Sequence, residues 1–428
     1  MPDPSFASES IDKRPSAFSS LRHRDFRLLW SGQVVSVIGS QMQLAAINWH
    51  IYLLTGSPLA LGIVGACRAI PIILCSLAGG VVADVVDRRR LMMVTQSVML
   101  LCSATLALIT FHGLTKIWPI LLLTAIASAA WAFDTPARQS LLPMLVPRND
   151  FQNAVSLSML MFQTGMVAGP PLAGFALASH GPAFVYALNA ASFLAMLTGI
   201  ALMRTSGKPE KDDAESTDAP RISWQALVEG LQFVWRTPII VQTMTLDFVA
   251  TFFASANQLL PIYAKDILDV GARGYGFLAA APAAGAIISG LVMARMGALK
   301  KQGRTVIVSV AFYGAATIAF GVSKVFWFSL LMLAAAGAAD TVSTILRQTI
   351  RQLVTPNYIR GRMTSVNMIF FMGGPQLGEV EAGTVAQLIG APLSVVTGGV
   401  ACLLAALFTF VKAKSLRQYE QWAESRRQ

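Results

Sequence analysis

The sequence predicts an all-α integral membrane protein in which twelve transmembrane helices form two pseudo-symmetric halves of six. Of the 428 residues, 54% are hydrophobic and only 13% are charged, whereas soluble domains carry about 25% charged residues. Apolar runs of about 20 residues, the length that spans a bilayer, recur from end to end. The charged residues gather in the short joints between these runs, which excludes a soluble helical protein because its helices would need polar faces.

The positions of the basic residues predict how the spans are threaded. Placing both termini and the joints after spans 2, 4, 6, 8 and 10 in the cytoplasm leaves 28 of the 33 Lys and Arg residues on that side. Basic loops prefer the cytoplasmic face, so both termini are expected inside the cell. The spans lie at about 26–54, 59–84, 91–111, 117–138, 152–178, 182–203, 239–263, 274–296, 304–322, 325–347, 363–388 and 391–411.

Five segments follow from this threading: a cytoplasmic tail (1–24), a first six-helix half (25–203), a cytoplasmic linker (204–238), a second half (239–412) and a cytoplasmic tail (413–428). The first tail has no apolar core with a cleavage site, so we expect no signal peptide. The polar start of the linker is expected to be flexible. Its end predicts an amphipathic helix on the inner membrane surface, with one apolar face made by Leu227, Leu231, Val234 and Trp235.

The two halves repeat a pattern of polar residues and glycines. Asp134 and Arg138 at the end of span 4 are echoed by Asp340 and Arg347 at the end of span 10. Gly169-x4-Gly174 in span 5 is echoed by Gly378-x4-Gly383 in span 11. Related halves that meet around a central site are typical of secondary transporters.

The joint between spans 2 and 3 carries the most specific motif. It reads Gly80-x3-Asp84-x2-Asp87-Arg88-Arg89 and separates two apolar runs. This motif resembles the signature loop between helices 2 and 3 of the major facilitator superfamily of transporters. The usual form has Gly at the position of Asp87, and Gly permits a positive φ more readily than Asp does.

The resemblance implies a latch at the inner ends of the helices. Asp84 is expected near the N-terminus of span 11, where an anion is favoured, and Arg88 is expected to pair with Asp134. Arg138 lies at the same level, and Asp340 with Arg347 is a candidate degenerate counterpart. Such a latch would hold the state that is open to the outside.

Span 5 contains closely spaced glycines and prolines, at Gly165, Gly169, Pro170 and Gly174. Glycines four apart let another helix approach closely, and proline loosens the backbone hydrogen bonds. The stretch resembles the helix 5 signature of the exporter branches of the superfamily, which favours export over import; plain tight packing is the alternative. Wider similarity over spans 2, 4 and 11 indicates the bacterial exporter branch that includes the enterobactin exporter and related multidrug efflux pumps.

Charged residues inside the spans mark candidate coupling groups, because charge is expensive in the apolar core. Arg68 in span 2 lies at about the depth of Glu379 and Glu381 in span 11, and these helices face each other in the resembled fold. We expect Arg68 to pair with one of the two carboxylates as an outer gate that protonation weakens; a static structural pair is the alternative. Asp247, alone in span 7, is a candidate proton or cation site or else a hydrogen-bonded structural residue.

Polar residues on several spans are expected to line a wet central cavity. Span 1 places its polar residues near one face, and spans 7 and 11 add two each, although polar stripes also join helices. The candidate lining residues are Gln33, Ser40, Gln41, Asn48, Asn257, Gln258, Asn367 and Gln376.

Other chemistries are not supported. There is no GxxxxGK[ST] nucleotide loop and no HExxH zinc motif, and Cys67, Cys75, Cys102 and Cys402 all lie inside apolar runs. The net charge of +11 sits in the joints, which argues against nucleic acid as a partner. We expect no enzyme activity, no cofactor and no metal.

The sequence therefore predicts a monomeric inner-membrane transporter whose partners are a small molecule, protons and the lipid bilayer. Proton-driven export of a small amphiphilic compound, siderophore or drug-like, by alternating access is the favoured function. An importer or uniporter, and a non-transporting sensor built on the same fold, are the alternatives. The substrate itself is not predicted.

Overall fold

The predicted all-α fold is confirmed by a computed structural model that describes residues 18–208, 224–254, 256–297, 299–356 and 359–420. These residues are helical throughout, with short joints and no strand among them. Most of the predicted N-terminal tail (1–17), most of the linker (209–223) and the end of the C-terminal tail (421–428) lie outside the described residues.

The first half consists of six helical segments. They are α1 (Arg24–Thr55), α2 (Pro58–Val85), α3 (Arg88–Phe111), α4 (Ile117–Leu145) and the stretch Arg148–Leu202. That stretch breaks at Gly181, where φ is 74° and ψ is −177°, into α5 (148–180) and α6 (182–202). Glycine adopts this positive φ without strain, and Pro182 is suited to the first turn of the next helix.

The second half has the same number of segments, and its first is a broken helix. Here α7 (Pro238–Phe253) is followed by a 3-10 turn (Ala256–Leu259), a short turn (Leu260–Ile262) and a π turn (Tyr263–Ile267). The rest are α8 (Gly271–Met296), α9 (Gln302–Gly321), α10 (Phe326–Val354), α11 (Arg360–Ile389) and α12 (Ala391–Lys412).

Nine helical stretches among the described residues are long and apolar enough to cross a membrane, by length and composition. One of them, Arg148–Leu202, contains both α5 and α6. α1 and α11, with 32 and 30 residues, coincide with predicted spans 1 and 11 but are not among the nine. The number of membrane crossings, twelve, therefore stays a prediction.

A close crossing of α2 and α11 joins the two halves. A Cβ built on Gly383 would lie 2.8 Å from the Cα of Gly62 and 2.8 Å from the carbonyl oxygen of Pro58. Both contacts are with backbone, which cannot move aside easily. The helices approach this closely only because small residues lie at the crossing.

An equivalent crossing joins α5 and α8. A Cβ built on Gly174 would lie 2.6 Å from the carbonyl oxygen of Ala272 and 3.2 Å from the Cα of Gly276. In both crossings the glycine meets another glycine and the carbonyl of the residue four positions before it. This geometry matches the repeat of Gly169-x4-Gly174 and Gly378-x4-Gly383 and relates the two halves by pseudo-symmetry.

Further contacts between the halves lie at the same end of the bundle as these crossings. The Ser57 hydroxyl donates to Gln387 Oε1 at 3.0 Å, and the Tyr52 hydroxyl donates to Asp266. Trp49 stacks on Tyr275 with ring centroids 5.4 Å apart. These residues lie near the end of α1, the starts of α2 and α8 and the end of α11. We call this the closed end, and the opposite end, where the Arg-rich joint between α2 and α3 lies, the basic end.

The residues at the start of α1 are bound to other segments at the basic end of the first half. His23 Nε2 lies 2.7 Å from Asp150 Oδ2, and Asp25 Oδ2 accepts from the backbone N–H groups of Arg204 and Thr205 at 2.9 and 2.7 Å. The hydrogen bond with His23, followed by one with Ser19, lowers the pKa of Asp150. These contacts tie α1, α5 and the start of the linker together.

The linker ends in a helix, Trp224–Arg236. Val234 is buried and packs with Ile239 and Ile240 of α7, whereas Leu231 and Trp235 are exposed. The side chain of Leu227 lies outside the described residues. Exposed apolar side chains beside a buried one suit a helix at a membrane surface, and that location stays a prediction.

Candidate functional site

Asp87, which replaces the usual glycine of the signature loop, serves as the N-cap of α3. Its φ is −55°, and its carboxylate accepts from the backbone N–H groups of Arg89 and Arg90 at 3.0 and 3.2 Å. A carboxylate at a helix N-terminus satisfies free N–H groups and interacts favourably with the helix dipole. No positive φ is needed at this turn, so aspartate is compatible with it.

The two signature arginines bind helix ends through carbonyl oxygens. Arg88 Nη1 donates to the carbonyl of Ser140 at 3.3 Å, and Arg89 donates to the carbonyls of Ile200 and Ala201 at 3.0 and 2.9 Å. The predicted pair between Arg88 and Asp134 is therefore wrong for this conformation. A cation near the last turn of a helix satisfies carbonyls that have no partner within the helix.

Asp134 instead belongs to a buried polar cluster inside the first half. Its side chain is 1% exposed, and Oδ1 accepts from Thr95 Oγ1 and Gln96 Nε2, both at 3.0 Å. Arg138, one turn further along α4, lies 3.7 Å from its other oxygen. With the Gln33 amide oriented to satisfy its hydrogen bonds, the Gln33 oxygen accepts from Arg138 Nε at 3.0 Å. The cluster joins α1, α3 and α4.

The close approach of α2 to α4 occurs at Gly79 and not at the signature Gly80. A Cβ built on Gly79 would lie 2.6 Å from the carbonyl of Ala132, whereas one built on Gly80 would meet nothing within 4 Å. Packing in this conformation therefore does not require glycine at position 80. The side chain of Asp84 lies outside the described residues, as do most of the side chains at the start of α11.

Glu379 lies at the crossing of α2 and α11 and is bonded to Gln258. Gln258 Nε2 donates to Glu379 Oε2 at 2.9 Å, and a Cβ built on Gly65 would lie 2.6 Å from the same oxygen. Among the described residues, Arg68 forms no ion pair within 4.0 Å with Glu379 or Glu381. The expected direct pair is therefore wrong in this conformation.

Asp247 is not alone in the fold, although no other acid lies near it in the sequence. Its Oδ1 lies 2.6 Å from Nη2 of Arg347, and the two side chains are 8% and 1% exposed. The same nitrogen lies 3.9 Å from Oδ1 of Asp340. Arg347, Asp247 and Asp340 form an ion cluster between α7 and α10 in this conformation, and a role of Asp340 and Arg347 as a degenerate counterpart of the signature latch stays a prediction.

The predicted cavity lining is divided among several environments. Ser40 is exposed and Gln41 half-buried, while Gln33, Asn48 and Gln258 are buried. Gln33 and Gln258 are bound to Arg138 and Glu379, so they join helices. The remaining members of the predicted set are exposed or half-buried, namely Asn257, Asn367 and Gln376.

The Gly-Pro stretch of α5 is a packed seam against two helices. A Cβ on Gly165 would lie 2.5 Å from Val37 of α1, and one on Gly169 would lie 2.5 Å from Gln41. The carbonyl of Pro170 would lie 2.5 Å from a Cβ on Gly276 of α8. The seam thus holds α5 to its own half through α1 and to the other half through α8.

Sequence reasoning missed residues whose partners come from distant helices. Thr95 and Gln96 are polar residues inside the apolar third span, which was a usable signal for the Asp134 cluster. Tyr52 and Asp266 lie at the ends of their spans, where polar residues are ordinary, so their contact had no signal in the sequence.

Two halves of six helical segments, related by repeated crossings and joined at one end, define a transporter of the major facilitator superfamily. More specifically, the chain belongs to the transmembrane secretion effector family, whose model matches residues 15–427. Members of this superfamily are transporters and not enzymes.

The most informative relatives are exporters. The chain is 24% identical to the multidrug efflux pump Tap of Mycolicibacterium fortuitum over 360 residues, covering 82% of this chain and 87% of that protein. It is also 24% identical to the enterobactin exporter EntS of Salmonella choleraesuis over 400 residues, covering 93% and 94% of the two chains.

Solved structures share the fold at low sequence identity. A bacterial homologue of the lysosomal transporter Spinster, in an inward-facing and unoccupied conformation, matches with a TM-score of 0.71 and 14% identity over 92% of this chain and 98% of that one. A POT family transporter in complex with 5-aminolevulinic acid matches with a TM-score of 0.72 and 12% identity over 92% and 97%. At these identities the likeness shows the fold alone.

Proposed function

We propose that this protein is a secondary active exporter of the bacterial inner membrane, driven by proton influx. Its substrate is a small amphiphilic molecule, siderophore-like or drug-like, in keeping with the substrates named for the two exporter relatives. The observation that carries the proposal is the joining of the two halves at one end, by two equivalent glycine crossings. An interface of this kind can open while a similar one forms at the other end.

The proposed topology places the basic end in the cytoplasm with both termini. The joints rich in Lys and Arg support this orientation. The closed end then faces the outside, so the conformation described is sealed on the outside. A substrate would reach the central cavity from the cytoplasm, as export requires.

The proposed outer gate consists of Arg68, Glu379 and Glu381 with Gln258. Glu379 lies at the α2–α11 crossing, and its carboxylate accepts from Gln258. Protonation would remove the negative charge that attracts Arg68 and change the hydrogen bond with the amide. A group at the interface of the halves can thereby couple proton binding to opening.

The residues at the basic end have a structural part in the proposal. Asp87, Arg88 and Arg89 hold the ends of α2, α3, α4 and α6 in place. The α5 seam, with Gly165, Gly169, Pro170 and Gly174, is the surface along which the halves would move. The proposed working unit is a monomer, because the site lies between the halves of a single chain.

Flux measurements in proteoliposomes test the function. The purified full-length chain is reconstituted, a pH gradient is imposed, and ethidium and enterobactin are followed as probes. Export predicts movement of one of them against proton flow, and collapse of the gradient with an ionophore should stop it. Movement with the protons would indicate an importer, gradient-independent movement a uniporter, and no flux of any probe a non-transporting protein.

The outer gate and the topology have their own tests. Glu379→Gln and Glu381→Gln are compared with the unaltered chain, and full pH-dependent flux in both variants would remove the outer gate from the coupling mechanism. Reporter tags at residues 115 and 215 are expected in opposite compartments. Reports from the same compartment would contradict the threading of the first half.

A further inference from the structure

The ion cluster of the second half contains two acids held unequally by one arginine. Arg347 Nη2 lies 2.6 Å from Asp247 Oδ1, at hydrogen-bond distance, but 3.9 Å from Asp340 Oδ1. Arg351 lies one turn further along α10, and its charge acts on Asp247 and Arg347. The charge of Asp247 is therefore balanced by a guanidinium in direct contact, whereas the same guanidinium lies beyond hydrogen-bond distance of Asp340.

Asp340 is also the more accessible of the two acids. It lies midway along α10, yet its side chain is 45% exposed, against 8% for Asp247. No hydrogen bond to its carboxylate is formed by any described residue. A carboxylate at this depth needs a partner or water, because an uncompensated charge in the apolar core is expensive.

A small polar cavity borders Asp340. Its volume is about 110 Å³, enough for several water molecules. Oxygen atoms that can bind a cation come from Asp340, Asn257, Tyr313 and Thr317. Apolar side chains of α8, α9 and α10 supply most of the remaining wall.

Both hydroxyl groups in this wall donate their hydrogen atoms to backbone carbonyls. Tyr313 donates to the carbonyl of Ala254 at 3.0 Å, and Thr317 donates to the carbonyl of Tyr313 at 2.9 Å. Each hydroxyl oxygen therefore keeps lone pairs as an acceptor. Together with the Asp340 carboxylate and the Asn257 amide oxygen, the cavity offers acceptors for a cation.

The cavity also lies at the break in the seventh span. Ala254 is the C-cap of α7, and Asn257 lies in the 3-10 turn that follows. Ends of interrupted helices leave carbonyls without helical partners, and such ends hold coupling ions in other secondary transporters. The next residue, Gln258, donates to Glu379 at the closed end, so consecutive residues of this turn contact the cavity and the proposed outer gate.

We propose that the cavity at Asp340 is the binding site for the coupling cation, a proton or a sodium ion. The inference rests on the proposed function and adds a cation-binding group on α10 to the carboxylates of the proposed outer gate; a sodium result would replace the proton of that function. When the cation binds, Asp340 no longer attracts Arg347, and Asp247 is then the remaining carboxylate partner of Arg347 among the described residues. The hydrogen bond from Arg347 to the Thr344 hydroxyl, 3.0 Å away on the same helix, does not change. When the cation leaves, Arg347 is shared between α7 and its own helix. The occupancy of the cavity thus changes how firmly α7 and α10 are joined.

The titratable groups around Asp340 come from several helices. Two of them are charged, Asp247 of α7 and Arg347 of α10 itself. The charge of Asp340 acts in turn on the titratable side chains of Tyr313 on α9 and Cys402 on α12, and α8 contributes no such group among the described residues. Asp247 and Arg347 carry opposite charges in direct contact, so their net effect on a bound cation is small. The cation would therefore depend chiefly on the Asp340 carboxylate itself.

The test separates driven transport from exchange in proteoliposomes of the full-length protein. Asp340→Asn is expected to lower ethidium efflux driven by a pH or sodium gradient about tenfold or more, the size of an ordinary coupling free energy. Ethidium exchange without any gradient is expected to persist. Thr341→Val is the matched control, because this neighbouring hydroxyl donates only to the carbonyl of Gly337 in its own helix.

A second measurement does not depend on transport. The melting temperature of the unaltered protein is expected to vary with pH or with sodium concentration. This dependence should be smaller in Asp340→Asn and undiminished in Thr341→Val, since other carboxylates such as Asp25 contribute the remainder of any pH dependence. Dependence on sodium at constant pH would identify sodium, and dependence on pH alone would identify the proton. An Asp340→Asn protein that keeps both the driven flux and the ion dependence would overturn the proposal. Absence of ethidium flux in the unaltered protein would count against the proposed function, and the melting measurement would still decide the site.

Discussion

The two halves place an arginine at the same position of their fourth helix but give it different partners. In the first half, Arg138 of α4 is bound by Gln33, the tenth residue of α1. In the second half, Arg347 of α10 is bound by Asp247, the tenth residue of α7. The partner of the arginine lies at the same helix position in both halves, but it is neutral Gln33 in the first half and charged Asp247 in the second. The cluster of the second half therefore contains one more acid.

The acid on the fourth helix of each half differs in the same way. Asp134 is 1% exposed and accepts hydrogen bonds from Thr95 and Gln96. Asp340 is 45% exposed and borders a polar cavity. A buried acid with hydrogen-bond partners stabilises one arrangement, whereas an open acid can change its state. This difference is the reason that we propose a structural role for the acid of the first half and a coupling role for the acid of the second.

The largest expected effect comes from removing the charged partner. Asp247→Asn leaves Arg347 with no carboxylate at hydrogen-bond distance, and breaking a buried pair costs about 3–5 kcal/mol. Gln33→Leu, at the equivalent position, removes a neutral partner while Asp134 stays, so a loss of about 1–2 kcal/mol is expected. Thermal unfolding in detergent measures both. Equal losses would break the comparison between the halves.

The crossing glycines should respond alike, since their geometry is equivalent. Gly383→Ala and Gly174→Ala each place a methyl group 2.8 and 2.6 Å from backbone atoms of the facing helix. Each is expected to destabilise the closed conformation by about 1–3 kcal/mol and so to favour opening of the closed end. Spin labels at positions 57 and 387 report the distance across that end. Gly80→Ala is the control, because its Cβ would meet nothing within 4 Å. An unchanged distance in both crossing variants would contradict the assigned seams.

The order of the helices and their repeat in the two halves were predictable from sequence, because apolar segments and the basic joints between them indicate which segments lie in the membrane. The echo of Asp134 and Arg138 in Asp340 and Arg347 also located both buried clusters. The partners were not predictable. Whether Arg347 turns to Asp247 depends on how α7 packs against α10, about a hundred residues away along the chain. Similarly, Gln258 binds Glu379, which the matching depths of Arg68 and Glu379 did not indicate.

A smaller effect is expected from a contact between the halves at the closed end. Tyr52→Phe removes the hydrogen bond to Asp266, and a hydrogen bond to a charged group contributes about 1.5–3 kcal/mol when buried and less in this partly buried contact. The same label pair should then show a larger open population. Thr384→Val, whose hydroxyl donates only to the carbonyl of Val380 in its own helix, is expected to leave the distribution unchanged. A shift of equal size in that control would remove Tyr52 from the gate.

The smallest effect is a loosening of the basic end in acid. Burial acts to raise the pKa of Asp25, but hydrogen bonds from the Thr205 hydroxyl and backbone outweigh it and lower that pKa below 3.8. A lowered pKa contributes stability that is present above the ordinary value and lost as the pH falls through the lowered one. The protection of residues 203–205 against hydrogen exchange, expressed relative to the intrinsic exchange rate at each pH, is therefore expected to fall below about pH 4. Asp25→Asn should show low protection at every pH, and protection that does not change with pH in the unaltered protein would contradict this account.

The most direct test of alternating access measures both ends of the molecule at once. Spin labels at positions 57 and 387 report the closed end, and labels at positions 90 and 304 report the basic end. Lowering the pH or adding ethidium to the reconstituted protein is predicted to lengthen the first distance as it shortens the second. If both distances stay constant, or change in the same direction, the protein does not work by exchanging one closed end for the other.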